Sequence, residues 1–567
     1  MLQRQLPNLI VLLAAFALPV WPQGERATIS GTVTDTSQAI IPGARITLRN
    51  VATNITSTAE SNSAGIYVFP ALNPGSYDVT VEKDGFRSRK VTGIPLSTGL
   101  TATVNAVMEV GAVSESISVQ ASAVQLETQT SGLSGTVETR RVVELPLLGR
   151  NPLQLASLAP GVIPTSAQGG NGSGAIGSAT NSRINGGLAM QNAVLMDGGE
   201  SRGFTSGGQA YSVPLESVAE FKIETATYSS EFGHSGGGVV NVATKSGTND
   251  YHGVVYEFLR NNHLNANSWS NNRNRVARGL FIRNEFGAAM GGRILRDRTF
   301  FFANYEGIRQ GSPDQFLATV PTNEQKAGDF SRTLDNQGRQ IQVFDYLTTR
   351  ADPNNPGKFV RDPFLGNRIP ENRIHPISKN VLPFWPAPNR AGDGLANLRN
   401  YFVAGKNVTQ ADIWFARIDH QISSKHRLFG RTGGSQNDAF STLAERAFPA
   451  KTINSSPTRT ALVSLTSTFT PSLLGEFRFS YTRLQQNNYP VSEGFDMASL
   501  GFGSNLTSNV LYKQFPQITV QQYNSGSGLV VATFNASEVD QLGGATKTLA
   551  PQDNWHAQYH VTWVRGR

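Results

Sequence analysis

The 567 residues include no cysteine, which excludes disulfides, thiolate catalysis and Cys-ligated zinc in one step. In an exported chain the same absence avoids mispairing in an oxidising compartment. Long apolar runs are missing too. The stretch Leu9–Leu18 is too short for a spanning helix and nothing else approaches about 18 apolar residues, so a membrane-spanning chain of this kind must be a barrel. Charge is sparse and unclustered: 16% of residues are charged, for a net of +8, but no run of five like charges occurs, so no nucleic-acid partner is expected. Glycine, by contrast, reaches 56 residues and aromatics 9%, a mix that favours strands, turns and polar loops over helical bundles. The length calls for several folded units.

Arg4 followed by the apolar stretch reads as a secretory signal peptide over residues 1–22, cut either at Ala15-Phe16-Ala17 or near Gly24. Residues 27–110 then carry short alternating strands with turn signals between them. Ile29, Gly31 and Val33 share a face, as do Ala44, Ile46 and Leu48, and Tyr77, Val79 and Val81. Pro42-Gly43 and Asn73-Pro74-Gly75 make the turns. About seven strands over this length suit a β-sandwich. The pieces Ile29-x-Gly31-x-Val33-x-Asp35, Gly65-x-Tyr67-x-Phe69, Pro74-Gly75-x-Tyr77-x-Val79 and Gly85-Phe86 resemble the carboxypeptidase regulatory-like domain, an accessory fold that brings no catalytic residues with it.

From 111 to 249 the texture changes to Gly, Ser and Asn between short apolar pieces, including Leu145-Pro146-Leu147-Leu148-Gly149-Arg150-Asn151. The runs Arg183-Ile184-Asn185-Gly186-Gly187, Asn192-x-x-Leu195-Met196-Asp197-Gly198, Glu231-Phe232-Gly233 and Gly236-Gly237-Gly238-Val239-Val240-Asn241-Val242 resemble the plug of a TonB-dependent receptor. The continuation Thr244-Lys245-Ser246-Gly247-Thr248-Asn249 with His252-Gly253 resembles the large Oar-like receptors of that group.

From 250 to 567, segments of about ten residues alternate apolar and polar side chains, as strands between lipid and water must. Phe477, Phe479 and Tyr481 oppose Glu476, Arg478, Ser480 and Thr482; Trp414, Ala416 and Ile418 oppose Arg417 and Asp419; Trp555, Ala557, Tyr559, Val561 and Trp563 oppose His556, Gln558, His560 and Thr562. Eight strands are predicted, near 251–260, 283–293, 298–309, 411–421, 426–434, 459–469, 474–484 and 554–564. About a hundred residues rich in Pro, Asn and Arg separate the third from the fourth, and they resemble an extracellular loop of the Oar-like group. Eight strands enclose only their own side chains, whereas plugged transporters use about 22. The fold expected is therefore mainly β: a small sandwich, a plug, and the N-terminal part of a transmembrane antiparallel barrel that is incomplete at its C-terminal side.

Three enzyme-like patterns fail on context. Gly233-His234-Ser235-Gly236-Gly237 fits a nucleophile elbow but is followed by a strand-like run instead of a helix. Gly172-Ser173-Gly174-Ala175-Ile176-Gly177 sits in a polar loop with no βαβ unit. His556 and His560 lack the glutamate of a metalloprotease and would stand about 13 Å apart on a strand. No catalytic residue, metal ligand or cofactor is assigned.

Glu115-Ser116-Ile117-Ser118-Val119-Gln120 resembles a TonB box, so that Ser116, Ile117, Ser118 and Val119 are contact candidates for a partner adding a β-strand; the plainer alternative is an ordinary strand leading into the plug. The plug residues singled out by the motifs are Arg183, Asn185, Gly186, Asn192, Asp197, Gly198, Gly236 and Gly237. The resemblance implies an outer-membrane receptor with its N-terminal domain in the periplasm. It would take up an unidentified extracellular ligand, energised by a periplasmic TonB-type protein and seated in outer-membrane lipid. A surface binding or adhesion barrel without uptake is the alternative, and a secreted hydrolase relying on Ser235 is a further one.

Overall fold

The computed structural model describes residues 27–111, 116–120, 133–145, 147, 150–164, 182–188, 191–203, 209–226, 228, 235–273, 277–442, 452–470, 473–516, 518–519, 541–542 and 547–563. The expected signal peptide, the Gly172–Gly177 pattern and residues 231–234 lie outside them.

The first unit pairs strands β1 (Ala27–Asp35), β2 (Arg45–Asn50), β3 (Thr56–Glu60), β4 (Ile66–Leu72), β5 (Gly75–Glu82), β6 (Ser88–Leu96), β7 (Thr101–Thr103), β8 (Ala106–Met108) and β9 (Ser116–Gln120). One sheet holds β4, β1, β7 and β8, the other runs β3-β2-β5-β6-β9. The alternating residues named from the sequence face inward: Ile29, Val33, Ile46, Leu48, Tyr67, Phe69, Val79 and Val81 are all buried in one core. Gly31 is dictated by that core, because a Cβ there would collide with the Val104 carbonyl, the same carbonyl that accepts the Tyr67 hydroxyl at 2.5 Å. The second sheet continues past residue 110, for β9 lies parallel to β6 with Val91 opposite Val119.

The second unit contains β10 (Leu133–Glu138), β11 (Val162–Pro164), β12 (Ser182–Ile184), β13 (Ala193–Met196), β14 (Gly199–Glu200), β15 (Val218–Ala226) and β16 (Val239–Thr244). Five of them form a sheet in the order β10-β15-β16-β13-β14. Nearly continuous apolar runs such as Val239-Val240 are required here, since β16 is central and buried along its whole length.

The rest is one meandering antiparallel sheet. Its strands are β17 (His252–Asn261), β18 (Ile282–Leu295), β19 (Thr299–Ala318), then the small hairpin β20 (Arg350–Ala351) and β21 (Phe359–Val360), then β22 (Tyr401–Ser423), β23 (His426–Ser441), β24 (Thr452–Ser455), β25 (Thr458–Thr470) and β26 (Leu473–Pro490). After the short pair β27 (Ile518–Thr519) and β28 (Gln541–Leu542) comes β29 (Thr548–Trp563). The order across the large sheet is β17-β18-β19-β22-β23, then β24 and β25 in line, then β26 and β29. Every strand predicted from the sequence is present. Several run longer than about ten residues: β19 and β22 stay paired out to Ala318 and Tyr401. Alternation is imposed only where one face meets lipid, and beyond that zone the backbone ladder continues with polar side chains on both faces.

Turns at one end of the sheet are tight, as between β18 and β19 or β22 and β23, while the other end carries the long connections. Residues 319–400 are no loose loop. Val320, Val381 and Trp385 share a core with Leu500 and Phe515 from the β26–β29 connection, and Phe384, Phe495 and Phe515 stack with centroids 4.7 to 5.9 Å apart. β17 and β29 form the two edges of the sheet and do not pair with each other among the described residues.

Candidate functional site at the plug and barrel contact

One apolar core spans the second unit and the large sheet: Phe221, Ile223, Val240 and Val242 from the second unit, which is the expected plug, pack with Phe302, Ile308, Ile413 and Phe415 from the sheet. The opposite face carries Trp414, Ile418, Phe477, Trp555, Tyr559 and Trp563, all exposed. Polar residues that alternate with them point inward, and Arg417, Asp419, Glu476, Arg478, Ser480 and Thr482 are buried. A charge in such a position costs several kcal/mol unless a partner meets it; Asp419, Glu476 and Arg478 find theirs within the sheet, and Arg417 finds one there and another in the second unit.

Asp197 follows β13, where it and Gly198 take left-handed backbone angles, φ 48° and 75°, that turn the chain into β14. Its carboxylate accepts the Thr244 amide and hydroxyl, each at 2.9 Å, so β13 and β16 are tied before the barrel is reached. Arg417 approaches one oxygen at 3.2 Å and Arg431 the other at 2.9 Å. The Arg431 Nε contact is charge to charge and out of line for a hydrogen bond, but its Nη2 donates to the Met196 carbonyl at 2.8 Å. Arg417 also forks onto Asp419 with two bonds of 2.8 Å, and Ser246 donates to Asp419 at 2.7 Å. Glu476 and Arg478, both on β26, pair at 3.0 Å. Three carboxylates (Asp197, Asp419, Glu476) thus face three guanidiniums (Arg417, Arg431, Arg478), a balance that lets the cluster stay dry.

A second cluster binds the plug further along. Arg150 meets Glu216 at 3.0 Å and Glu285 of β18 at 3.2 Å, and its guanidinium lies over the Phe258 ring at 4.1 Å. Arg283 pairs with Glu285 at 2.8 Å, and Tyr256 donates to Glu306 at 2.9 Å. Lys245, in the connection from plug to barrel, stands 4.0 Å from Glu216; burial pushes its ammonium below the usual lysine range, with Glu216 opposing. Tyr211 adds a neutral tie, donating to the Trp414 carbonyl at 2.6 Å.

The motif residues fall into two groups. Asn192 donates to the Ser182 carbonyl at 2.7 Å and accepts the Gly238 amide at 3.2 Å, while Gly236 and Gly237 both donate to the Gln191 carbonyl. Gly237 has no room for a Cβ, which would strike the Asn192 amide oxygen. Asn185 and Gly186 form the turn after β12 with φ 49° and 76°, and the Asn185 side chain donates to the Thr225 carbonyl. These residues shape the plug. Asp197 and Gly198 reach the barrel, Gly198 through its carbonyl to Gln558 at 3.3 Å. Arg183 is exposed and belongs to neither cluster. Ser116–Val119 lie away from both, in β9.

Ser235 donates to the Gly238 carbonyl at 2.9 Å, directly ahead of β16 and not of a helix. His556 and His560 stand on one face of β29. Motif reasoning missed Arg431, Glu216, Glu285 and Glu306. For three of them the signal was charge on the strand face opposite the aromatics, at inward parity in Glu285, Glu306 and Arg431; Glu216, in the helical turn Leu215–Ser217, carried no such signal.

A model described as an outer membrane beta barrel domain matches residues 243–567, and one described as a carboxypeptidase regulatory-like domain matches residues 28–109. The TonB-dependent transporter Oar of Myxococcus xanthus is 26% identical over 356 residues, which cover 60% of this chain and 31% of that protein. Among solved structures, the outer membrane transporter YddB of Escherichia coli is similar with a TM-score of 0.45 at 12% identity, over 77% of this chain and 46% of that one. The siderophore receptor PirA of Acinetobacter baumannii follows at 0.37 and 14%, over 65% and 42%. The chain thus spans 31% of the curated relative's length and less than half of these two solved chains. Barrel strands with outward aromatics, an inward plug contact and a family match over more than half the residues agree: the chain belongs to the outer membrane β-barrel domain family, carries a carboxypeptidase regulatory-like domain ahead of the barrel, and is related to the TonB-dependent transporter Oar.

Proposed function

We propose that the protein is an outer-membrane TonB-dependent receptor that takes up a large or scarce ligand. The observation that carries this reading is the plug, held inside the sheet by two balanced ion clusters and not by apolar packing alone. Such a contact blocks passive flow and is still separable, because each charge can be taken over by water or a polar ligand once the site is opened. In outer-membrane barrels the short turns face the periplasm and the long loops the exterior. By that rule the sandwich is periplasmic, and the packed body formed by residues 319–400 and 491–516 is the ligand-facing surface.

Ser116, Ile117, Ser118 and Val119 are the proposed contact for the TonB-type partner. Their backbone is already extended and, among the described residues, occupies a sheet edge, the geometry that strand addition uses. The test is co-purification of the full-length protein with the periplasmic domain of that partner. Replacing residues 116–119 by a Gly-Ser segment of equal length should abolish capture while leaving the barrel heat-resistant; undiminished capture would remove this segment from the account. A surface-binding barrel without uptake is favoured only by the self-contained long-loop body, and it predicts no capture by either form.

A further inference from the structure

The plug sheet has a polar face turned away from its core. On β15, Phe221 and Ile223 enter the core, while Glu220 and Lys222 point the other way and are nevertheless buried. The sandwich covers them. The Thr98 amide donates to the Glu220 carboxylate, and Lys222 donates to the Gly99 carbonyl at 3.3 Å while pairing with Glu224 at 3.3 Å. The sandwich also reaches the rim of the large sheet: the Asn249 amide donates to the Ala52 carbonyl at 3.1 Å, and Arg427 donates to the Ala71 carbonyl. The turns at Ala52 and at Thr98–Gly99, with the end of β4 at Ala71, make all four contacts from one end of the sandwich. Between them lies a cavity of about 310 Å³ lined by Phe69 and Tyr77 of the sandwich, Lys245 and Ser246 of the connection, and His420 and Arg427 of the sheet. A joint made of backbone carbonyls and charged side chains around a void resembles the polar interfaces between domains that move, not a fused core.

From this we infer that the sandwich is a reversible cap over the short-turn end of the plug and barrel, and that β9 is its handle. The inference rests on the transporter reading for its direction of traffic. β9 is the last strand of the sandwich's second sheet, with β6 on one side and no described strand on the other, so its outer edge offers backbone donors and acceptors to an added strand. A partner that takes β9 therefore grips the cap before it grips the plug. Lifting the cap uncovers Glu220 and Lys222 and opens the cavity to the compartment beyond.

The chain's lack of cysteine makes the test clean. Spin labels on Asp84→Cys, at an exposed sandwich turn, and Arg296→Cys, at the exposed β18–β19 turn, report the gap by electron–electron dipolar spectroscopy on the full-length protein in nanodiscs. At rest one narrow distance is expected. Glu220→Arg, which removes the acceptor for Thr98 and sets a second cation beside Lys222, should shift it to longer and broader values, and raised salt should do the same to the unmodified interface. The partner's periplasmic domain, added in excess, should give that shift without any substitution. A distance unmoved by both Glu220→Arg and salt overturns the cap. A distance moved by those two but unmoved while the partner is demonstrably bound overturns β9 as its handle. If the partner does not bind at all, the coupling reading falls and the handle with it, while the cap is judged by Glu220→Arg and salt alone.

Discussion

Asp197 carries a disproportionate part of the plug contact, because one carboxylate satisfies Thr244 within the plug and two arginines of the barrel. Replacing it by alanine leaves Arg431 buried without a carboxylate, a loss of about 3–5 kcal/mol for a broken buried pair. The expected result for Asp197→Ala is a lower unfolding temperature and a plug that is cut readily by protease in the full-length protein. Asp197→Leu combined with Arg431→Met should recover much of that stability, since an apolar pair of similar volume avoids the desolvation cost; a double variant as unstable as the single one would show that the ion cluster is not the cause. The long-loop body depends on pH at a different point. Asp345 is held below the usual carboxylate range first by hydrogen bonds from Arg373, at 2.6 and 2.9 Å, and then by the Leu347 amide. A carboxyl with a depressed folded-state value contributes stability that is fully present above its unfolded value of about 3.9 and is lost as pH falls through the lower folded value. Limited digestion should therefore leave residues 345–373 resistant at mildly acidic pH and open them only in strong acid, whereas Asp345→Asn should open them at neutral pH. At this scale the sequence announced the motif positions but not their partners: Asp197 and Gly198 read as a pair, yet Arg417 and Arg431 lie over two hundred residues away and become neighbours only when the sheet curls round the plug.

Strands were the most legible elements, because lipid on one side and plug on the other force a period of two that no helix imitates. β29 alternates without a break from Gln552 to Trp563, and the account assigns its odd positions to lipid. Tyr559→Arg should then cost about 2–4 kcal/mol in a folding titration into bilayers, the range for a cation on the lipid face near the midplane, while His556→Arg, at inward parity, should cost clearly less. Equal costs would mean that the faces are assigned wrongly. Strand ends were less legible. The ladder between β19 and β22 runs through Ser312, Pro313 and Asp314 opposite Asn407, Lys406 and Gly405, where neither face is apolar and the alternation that locates a strand has vanished. β9 was hidden for another reason. Ser116–Gln120 read as extended from its own residues, but its place beside β6 depends on a parallel contact that sequence periodicity does not encode.

For the whole molecule, the order sandwich, plug, sheet follows from composition and motif alone, whereas the way the three meet does not. The plug's apolar runs anticipated a buried sheet, but the shared core with Phe302, Ile413 and Phe415 arises because the inward face of the barrel is apolar at just these positions, against the polar rule for a water-filled lumen. The central claim is that a plug blocks a barrel and must be moved for anything to pass. Conductance of the full-length protein in planar lipid bilayers tests it most directly, compared with a form lacking residues 111–249. The account predicts a silent intact protein and large, steady channels from the deleted form. An intact protein that conducts like the deleted one, or a deleted form that inserts and stays silent, would contradict it.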